Sequence, residues 1–263
     1  MGSAYSKFGV GVPFDPDYSL VTSPIYTPLV LAIIRLLYGF YYLVYFIFKF
    51  SWDSIHFPRD LKEFFSYFTH LSAIGLCAYF WASGVQTLVY ALWKKYPLRH
   101  WPKSFQLLHL WLSATAATFP FVVTIAYWTL LASSTSFETP YRAWDNTSVH
   151  ILNSVLALSE TLFTFVGPIP WLYLPICIFT IGLYIALAYV THASQNFYPY
   201  KFLDPNQYGG KVAAYVFGVL IGECIIFAIV WGIAKLRNKI FAKRRTAILG
   251  DISFKEKGQI GQV

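Results

Sequence analysis

Two residues have the types and the placement for nucleophilic chemistry. Thr69 lies in Tyr67-Phe-Thr-His70, at the head of one membrane-length apolar run, and His150 follows Val149 at the head of another. A hydroxyl attacks a carbonyl poorly until a base within hydrogen-bond reach takes its proton, and imidazole is a common base. A threonine and a histidine sharing one water-poor chamber make a nucleophile and base for acyl transfer. Each residue also has an ordinary use. A helix-start threonine usually bonds a backbone carbonyl, and a histidine at a helix end usually sits at the interface.

Three charged residues fall inside apolar runs: Arg35, Glu160 and Glu223. Charges within lipid are costly and turn toward the bundle interior, where they find partners. At about 1.5 Å per residue, Arg35 lies about 12 Å above the inner end of its run. Glu160 and Glu223 lie about 20 Å below the outer ends of theirs. The three share one level, so Arg35 is expected to pair with one or both carboxylates. His150, Asn153, Ala157 and Glu160 step by 3, 4 and 3, a single helical face. Ser66, Thr69, Ala73 and Leu76 step alike on the preceding candidate. Gly218 and Gly222 form a GxxxG, a signal for close helix approach.

The elements that must hold these residues follow from composition. The chain has 263 residues, 57% hydrophobic, 20% aromatic and only 12% charged. Soluble domains carry about a quarter charged residues, so hydrocarbon is the better solvent for this chain. Six apolar runs approach the roughly 20 residues of an α-helical span: about Thr27–Phe50, Phe64–Trp93, Ser104–Leu131, Thr147–Val166, Trp171–Thr191 and Gly210–Ala234. The expected fold is all-α, an integral membrane six-helix bundle. A polar segment covers residues 1–26, the membrane domain residues 27–234 and a basic tail residues 235–263.

The formal charge of +8 is concentrated in that tail. Lys235, Arg237, Lys239, Lys243, Arg244 and Arg245 fit a cytoplasmic anchor beside anionic lipid head groups rather than a nucleic-acid surface. With both termini cytoplasmic, 13 of the 20 basic residues fall on the inner side, as the positive-inside rule asks. The second and fourth runs then both start on the outer side, with Thr69 and His150 near the same leaflet. The sequon Asn146-Thr-Ser148 falls on that side too. No secretory signal is read at the N-terminus, where Gly2 begins a weak myristoylation pattern. Cys77, Cys177 and Cys224 lie within apolar runs and share no metal-ligand spacing. No metal or cofactor motif is present.

Phe64-Phe-Ser-Tyr-Phe-Thr69-His-Leu, Phe119-Pro-Phe-Val-Val-Thr-Ile-Ala-Tyr-Trp128, Trp144-Asp-Asn-Thr-Ser-Val-His150 with Leu158-Ser-Glu160, Tyr198-Pro-Tyr-Lys-Phe-Leu-Asp204 and Gly222-Glu223 occur in that order. Together they resemble the androgen-induced protein family of multi-span membrane proteins, from about Arg35 to Trp231. The chain departs from the family's pattern at His70, at Lys201 and in its long polar N-terminus. The resemblance implies a threonine hydrolase acting on fatty acid esters of hydroxy fatty acids, with Thr69 as nucleophile and His150 as general base. The expected partner is a lipid ester entering from the bilayer. The expected location is the endoplasmic reticulum or another endomembrane, with the plasma membrane as the alternative. Two other readings stay open: a transporter or channel built on Arg35, Glu160 and Glu223, and a non-catalytic lipid-binding protein.

Overall fold

A computed structural model describes residues 4–260. The chain is all helical. Five helices are long and apolar enough to cross a membrane: α1 (Pro28–His56), α2 (Phe68–Trp93), α3 (Lys103–Ala126), α5 (Tyr173–Gln195) and α6 (Lys211–Ile240). The shorter α4 (Asn153–Phe163) joins them. A last helix, α7 (Ala242–Ile260), follows α6. Gly2 lies outside the described residues.

The outer faces confirm the solvent. Ile33, Leu37, Phe40, Val44 and Ile47 are exposed along α1, as are Phe217, Ile221, Ile225 and Ile229 along α6. Steps of three and four draw an uninterrupted apolar stripe that water would not tolerate over such an area.

Local chemistry sets the helix ends. Thr27 caps α1 by accepting from the Val30 N–H at 3.4 Å, with Pro28 at the first helical position. Lys94 and Asn196 close α2 and α5 in the left-handed conformation, at φ 55° and 60°. α1 lies antiparallel against α2, and two glycines allow the approach. A Cβ on Gly84 would stand 2.9 Å from Leu36 Cδ2, and one on Gly39 would stand 3.0 Å from Trp81 Cδ1. Gly218 and Gly222, expected to mark a packing seam, meet nothing within 4 Å. Their face is open, so the close seam belongs to α1 and α2.

The fourth apolar run departs from expectation. It is helical from Pro140, through a π-helical turn at Ser148–Leu152, to Phe163. Its apolar part, Ser148 to Phe163, spans about 24 Å at 1.5 Å per residue, short of a hydrocarbon core about 30 Å thick. The preceding stretch Pro140–Thr147 is polar, so this run is not among the five helices apolar enough to cross a membrane; its polar groups bond to α1. Tyr141 donates to Asp53 at 2.5 Å, Tyr45 to Asp145 at 2.7 Å and Lys49 to Asp145 at 2.8 Å. Tyr42 donates to the Ser148 carbonyl at 3.1 Å, and Arg35 pairs with Glu160. From Arg35 to Asp53 these partners follow one antiparallel register over about 27 Å of helix. Lys49, near the end of α1, is buried between Asp53 and Asp145.

Residues 1–26, expected as a polar lead-in, are not a free segment over the part described. Val10, Phe14, Tyr18, Leu20 and Val21 are buried against Tyr90, Tyr96 and Leu98, at the end of the bundle where α2 stops. Asp15 fixes this plug by accepting from the Ser19 N–H at 2.9 Å and the Leu20 N–H at 3.0 Å. Arg99 donates to the Phe14 carbonyl at 3.0 Å. The basic tail also divides. Arg237 is buried and donates to the carbonyls of Thr161 and Val166 at 2.5 and 2.9 Å, and Arg245 pairs with Asp17 at 2.8 Å. Arg237 is thus held inside the fold, and Arg245 is tied to the N-terminal segment.

Candidate active site

Thr69 is the second residue of α2. Tyr67 precedes the helix in an extended conformation and supplies no side-chain cap. The first N–H groups of a helix have no partner inside it. The Thr69 N–H finds one outside, the Tyr200 hydroxyl at 3.3 Å, and that hydroxyl is also 3.3 Å from Thr69 Oγ1. The ordinary fate of a buried helical threonine is visible elsewhere in the bundle. Thr87, Thr118, Thr161 and Thr180 all donate to the carbonyl four residues back. Among the described residues, Thr69 makes no such bond. The extended Tyr67 breaks the helical path behind it and the Ser66 carbonyl accepts from Tyr184, so the Thr69 hydroxyl turns to Tyr200.

That hydroxyl faces an apolar cavity of about 60 Å³, between α2, α3, α5, α6 and the loop after α5. Val123 and Ala126 line one wall, Ile181 and Tyr184 another, and Tyr200 and Phe202 close it from the loop. Phe68 and Tyr184 separate it from a larger open groove of about 520 Å³, running between α2, α3 and α5 on the lipid-facing side. Thr69 itself is 8% exposed.

His150 sits at the same end of the bundle, 7% exposed. It lies in the π-helical turn Ser148–Leu152, and its ring stacks on Tyr127 with centroids 3.7 Å apart and planes 7° from parallel. Tyr127 begins a second π-helical turn, Tyr127–Leu131. Such turns are rare and recur at functional sites; here two face each other across one ring stack. The Tyr127 turn joins the two halves of the site, because Ala126 and Leu131 beside it line the Thr69 cavity. The imidazole Nδ1 and the Tyr127 hydroxyl are buried with no hydrogen-bond partner. Among the described residues, no hydrogen bond joins His150 to Thr69.

Of the other neighbours, Asn153, His70 and Ser66 are committed. Asn153 accepts from Thr124 at 3.2 Å and donates to the Pro120 carbonyl at 3.4 Å. His70 Nδ1 meets the Phe64 carbonyl at 2.9 Å, with its ring stacked on Phe64. Ser66 receives the Thr191 hydroxyl at 3.4 Å, and its carbonyl accepts from Tyr184 at 3.0 Å. His192 stacks on Tyr198, its Nδ1 unpartnered.

The charged cluster resolves in part. Arg35 pairs with Glu160 and also donates to the Leu20 carbonyl at 2.8 Å and to Thr87 at 2.6 Å. Glu160 accepts a further bond from Tyr79 at 2.7 Å. Glu223 is not a member. It accepts from Thr118 at 2.9 Å, and its second oxygen lacks a partner. Depth along a helix carries no azimuth, so a shared level does not bring Glu223 to Arg35.

Tyr200, Tyr184 and Tyr127 were missed as site residues by sequence reasoning. Tyr127 and Tyr200 lie inside segments whose likeness to a family was noted. Their roles come from a loop folding back and from a ring stack, neither of which has a spacing to read. No family model, curated protein or solved structure matches the chain.

Proposed function

We propose that the chain is a six-span integral membrane hydrolase of lipid carboxylic esters, with both termini cytoplasmic, Thr69 as nucleophile and His150 as general base. One observation carries this reading: Thr69 presents a hydroxyl with no carbonyl partner to an apolar cavity. The facing π-helical turns around His150 support it. So does the ordered likeness to the androgen-induced protein family, whose substrates, fatty acid esters of hydroxy fatty acids, are the proposed class. The endoplasmic reticulum or another endomembrane is the proposed location. The tail's remaining basic residues would face anionic lipid head groups.

In the proposed reaction His150 takes the Thr69 proton as Oγ1 bonds to the ester carbonyl carbon. Collapse of the tetrahedral species breaks the ester C–O bond, and the imidazolium returns the proton to the leaving hydroxy lipid. Water, deprotonated by the same imidazole, then attacks the acyl-threonine. The fatty acid leaves and Thr69 is restored. Catalytic hydrogen bonds are often long before substrate binds and tighten in the complex. The proposed proton path is of this kind, and it requires the imidazole to turn from Tyr127 toward Thr69.

Purified protein in detergent tests the reading with Thr69→Ala and His150→Ala. Loss of ester hydrolysis in both is expected. Full activity in either removes the dyad.

A further inference from the structure

We propose that Tyr200 is a further catalytic group, whose hydroxyl donates to the ester carbonyl oxygen as negative charge builds on it. The proposal rests on Thr69 being the nucleophile, and it deepens that reading by supplying the missing electrophilic partner.

The phenol is held for such a task. Its ring stacks on Phe202 with planes 3° from parallel, and meets Tyr67 edge-on at 5.8 Å. The turn Lys201–Leu203 anchors the loop: the Leu203 N–H donates to the Tyr200 carbonyl at 3.0 Å, and Leu203 is buried. Tyr198 pins the loop's other side against His192. A ring fixed on several faces keeps its hydroxyl in one place, and an enzyme needs donors preorganised in this way.

The hydroxyl then sits where charge would develop. When Thr69 Oγ1 bonds to a carbonyl carbon, the carbonyl oxygen comes to rest close beside Oγ1. Tyr200 oxygen and the Thr69 N–H both border that position, each about 3.3 Å from its partner in the resting site. N–H···O bonds are usually near 2.9–3.0 Å, so the resting pair is loose and open to replacement. An incoming carbonyl oxygen takes over the Thr69 N–H and accepts the Tyr200 O–H. The two donors then converge on one oxygen. No bond at Tyr200 breaks: the phenol keeps its proton throughout. Burial raises its pKa above the ordinary tyrosine value, which keeps the donor protonated.

A rival account makes Tyr200 only a cap that holds the start of α2. Tyr200→Phe separates the two, since it keeps the ring contacts. As a donor to the transition state, the hydroxyl's loss lowers kcat about 100-fold with KM little changed. A trifluoromethyl ketone analogue, which forms the tetrahedral adduct, weakens by the same factor, whereas an unreactive ether analogue binds as before. If Tyr200→Phe keeps kcat, or changes binding of both analogues equally, the proposal is wrong. A second probe covers a variant that folds poorly. With 2,3-difluorotyrosine in place of Tyr200, the phenol ionises at lower pH, and the alkaline limb of kcat moves down with it. An unmoved limb also overturns the proposal. A fluorophosphonate adduct on Thr69 in the unaltered protein keeps the parent reading separate. With that adduct present, a silent Tyr200→Phe defeats only the role of Tyr200. With Thr69 unlabelled and Thr69→Ala active, both fall.

Discussion

The Arg35–Glu160 centre and the Thr69–His150 end are both polar islands in a helical bundle, yet their hydrogen-bond accounts are opposite. Arg35 is fully buried and bonds Glu160, Thr87 and the Leu20 carbonyl, and Glu160 also accepts from Tyr79. At the other end, His150 Nδ1, His192 Nδ1 and the Tyr127 hydroxyl are buried without partners, and Thr69 has only two long contacts to Tyr200. Orphaned buried polar groups cost about 1–3 kcal/mol each. The first island is a satisfied structural device; the second keeps unspent bonding capacity, as the proposed site requires. That contrast weighs against a transport role built on Arg35 and Glu160, whose bonding capacity is already committed to the protein.

Substitutions can break this contrast. The largest effect belongs to Thr69→Ala. Ester hydrolysis should fall at least about 1,000-fold, while thermal unfolding in detergent stays within about 1 kcal/mol of the parent, since two 3.3 Å contacts contribute little. Arg35→Ala should do the reverse kind of damage. It leaves Glu160, half-buried beside Tyr79, without its cation, a loss of about 3 kcal/mol, read as a large drop in thermal midpoint. A midpoint that does not move would show that the saturated centre is not structural.

Next in size is Gly84→Ala, where the new Cβ meets Leu36 side chain and backbone at 2.9–3.3 Å. Overpacking of this kind costs about 1–3 kcal/mol. Gly222→Ala, at an open position, should leave the midpoint unchanged or slightly raised. Equal behaviour of the two would contradict the assignment of the close seam to α1 and α2. The smallest effect sharpens the contrast from the site's side. Tyr127→Phe removes a buried hydroxyl that has no partner, so stability should hold or rise by up to about 1 kcal/mol. A clear fall would mean that the hydroxyl is satisfied after all.

The long helices were legible because each hides its backbone in an apolar run that water would reject. The inward faces were legible too. Thr69, Ala73 and Leu76 are buried throughout, because a single helix fixes which residues share a side; Ser66, expected on the same face, is buried too but lies in a separate 3-10 turn before the extended Tyr67. What lay hidden came from pairing between distant segments. Lys49 is neutralised by Asp145, 96 positions away, a pairing that no local pattern announces. The fourth run begins in the polar turns Pro140–Thr147, and α1 supplies their partners. Val10, Phe14 and Tyr18 are too scattered among glycine and proline to give a helical period, yet they seal the end of the bundle. Tyr200 reaches Thr69 because a loop folds back across α2, which no local pattern announces.

The most direct measurement is the site of covalent capture. Incubation of the detergent-purified protein with a fluorophosphonate, followed by peptide mass mapping, should place one adduct on Thr69. The adduct should be absent in Thr69→Ala and strongly slowed in His150→Ala. An adduct mapped to another hydroxyl, or undiminished labelling when His150 is replaced, would contradict the account.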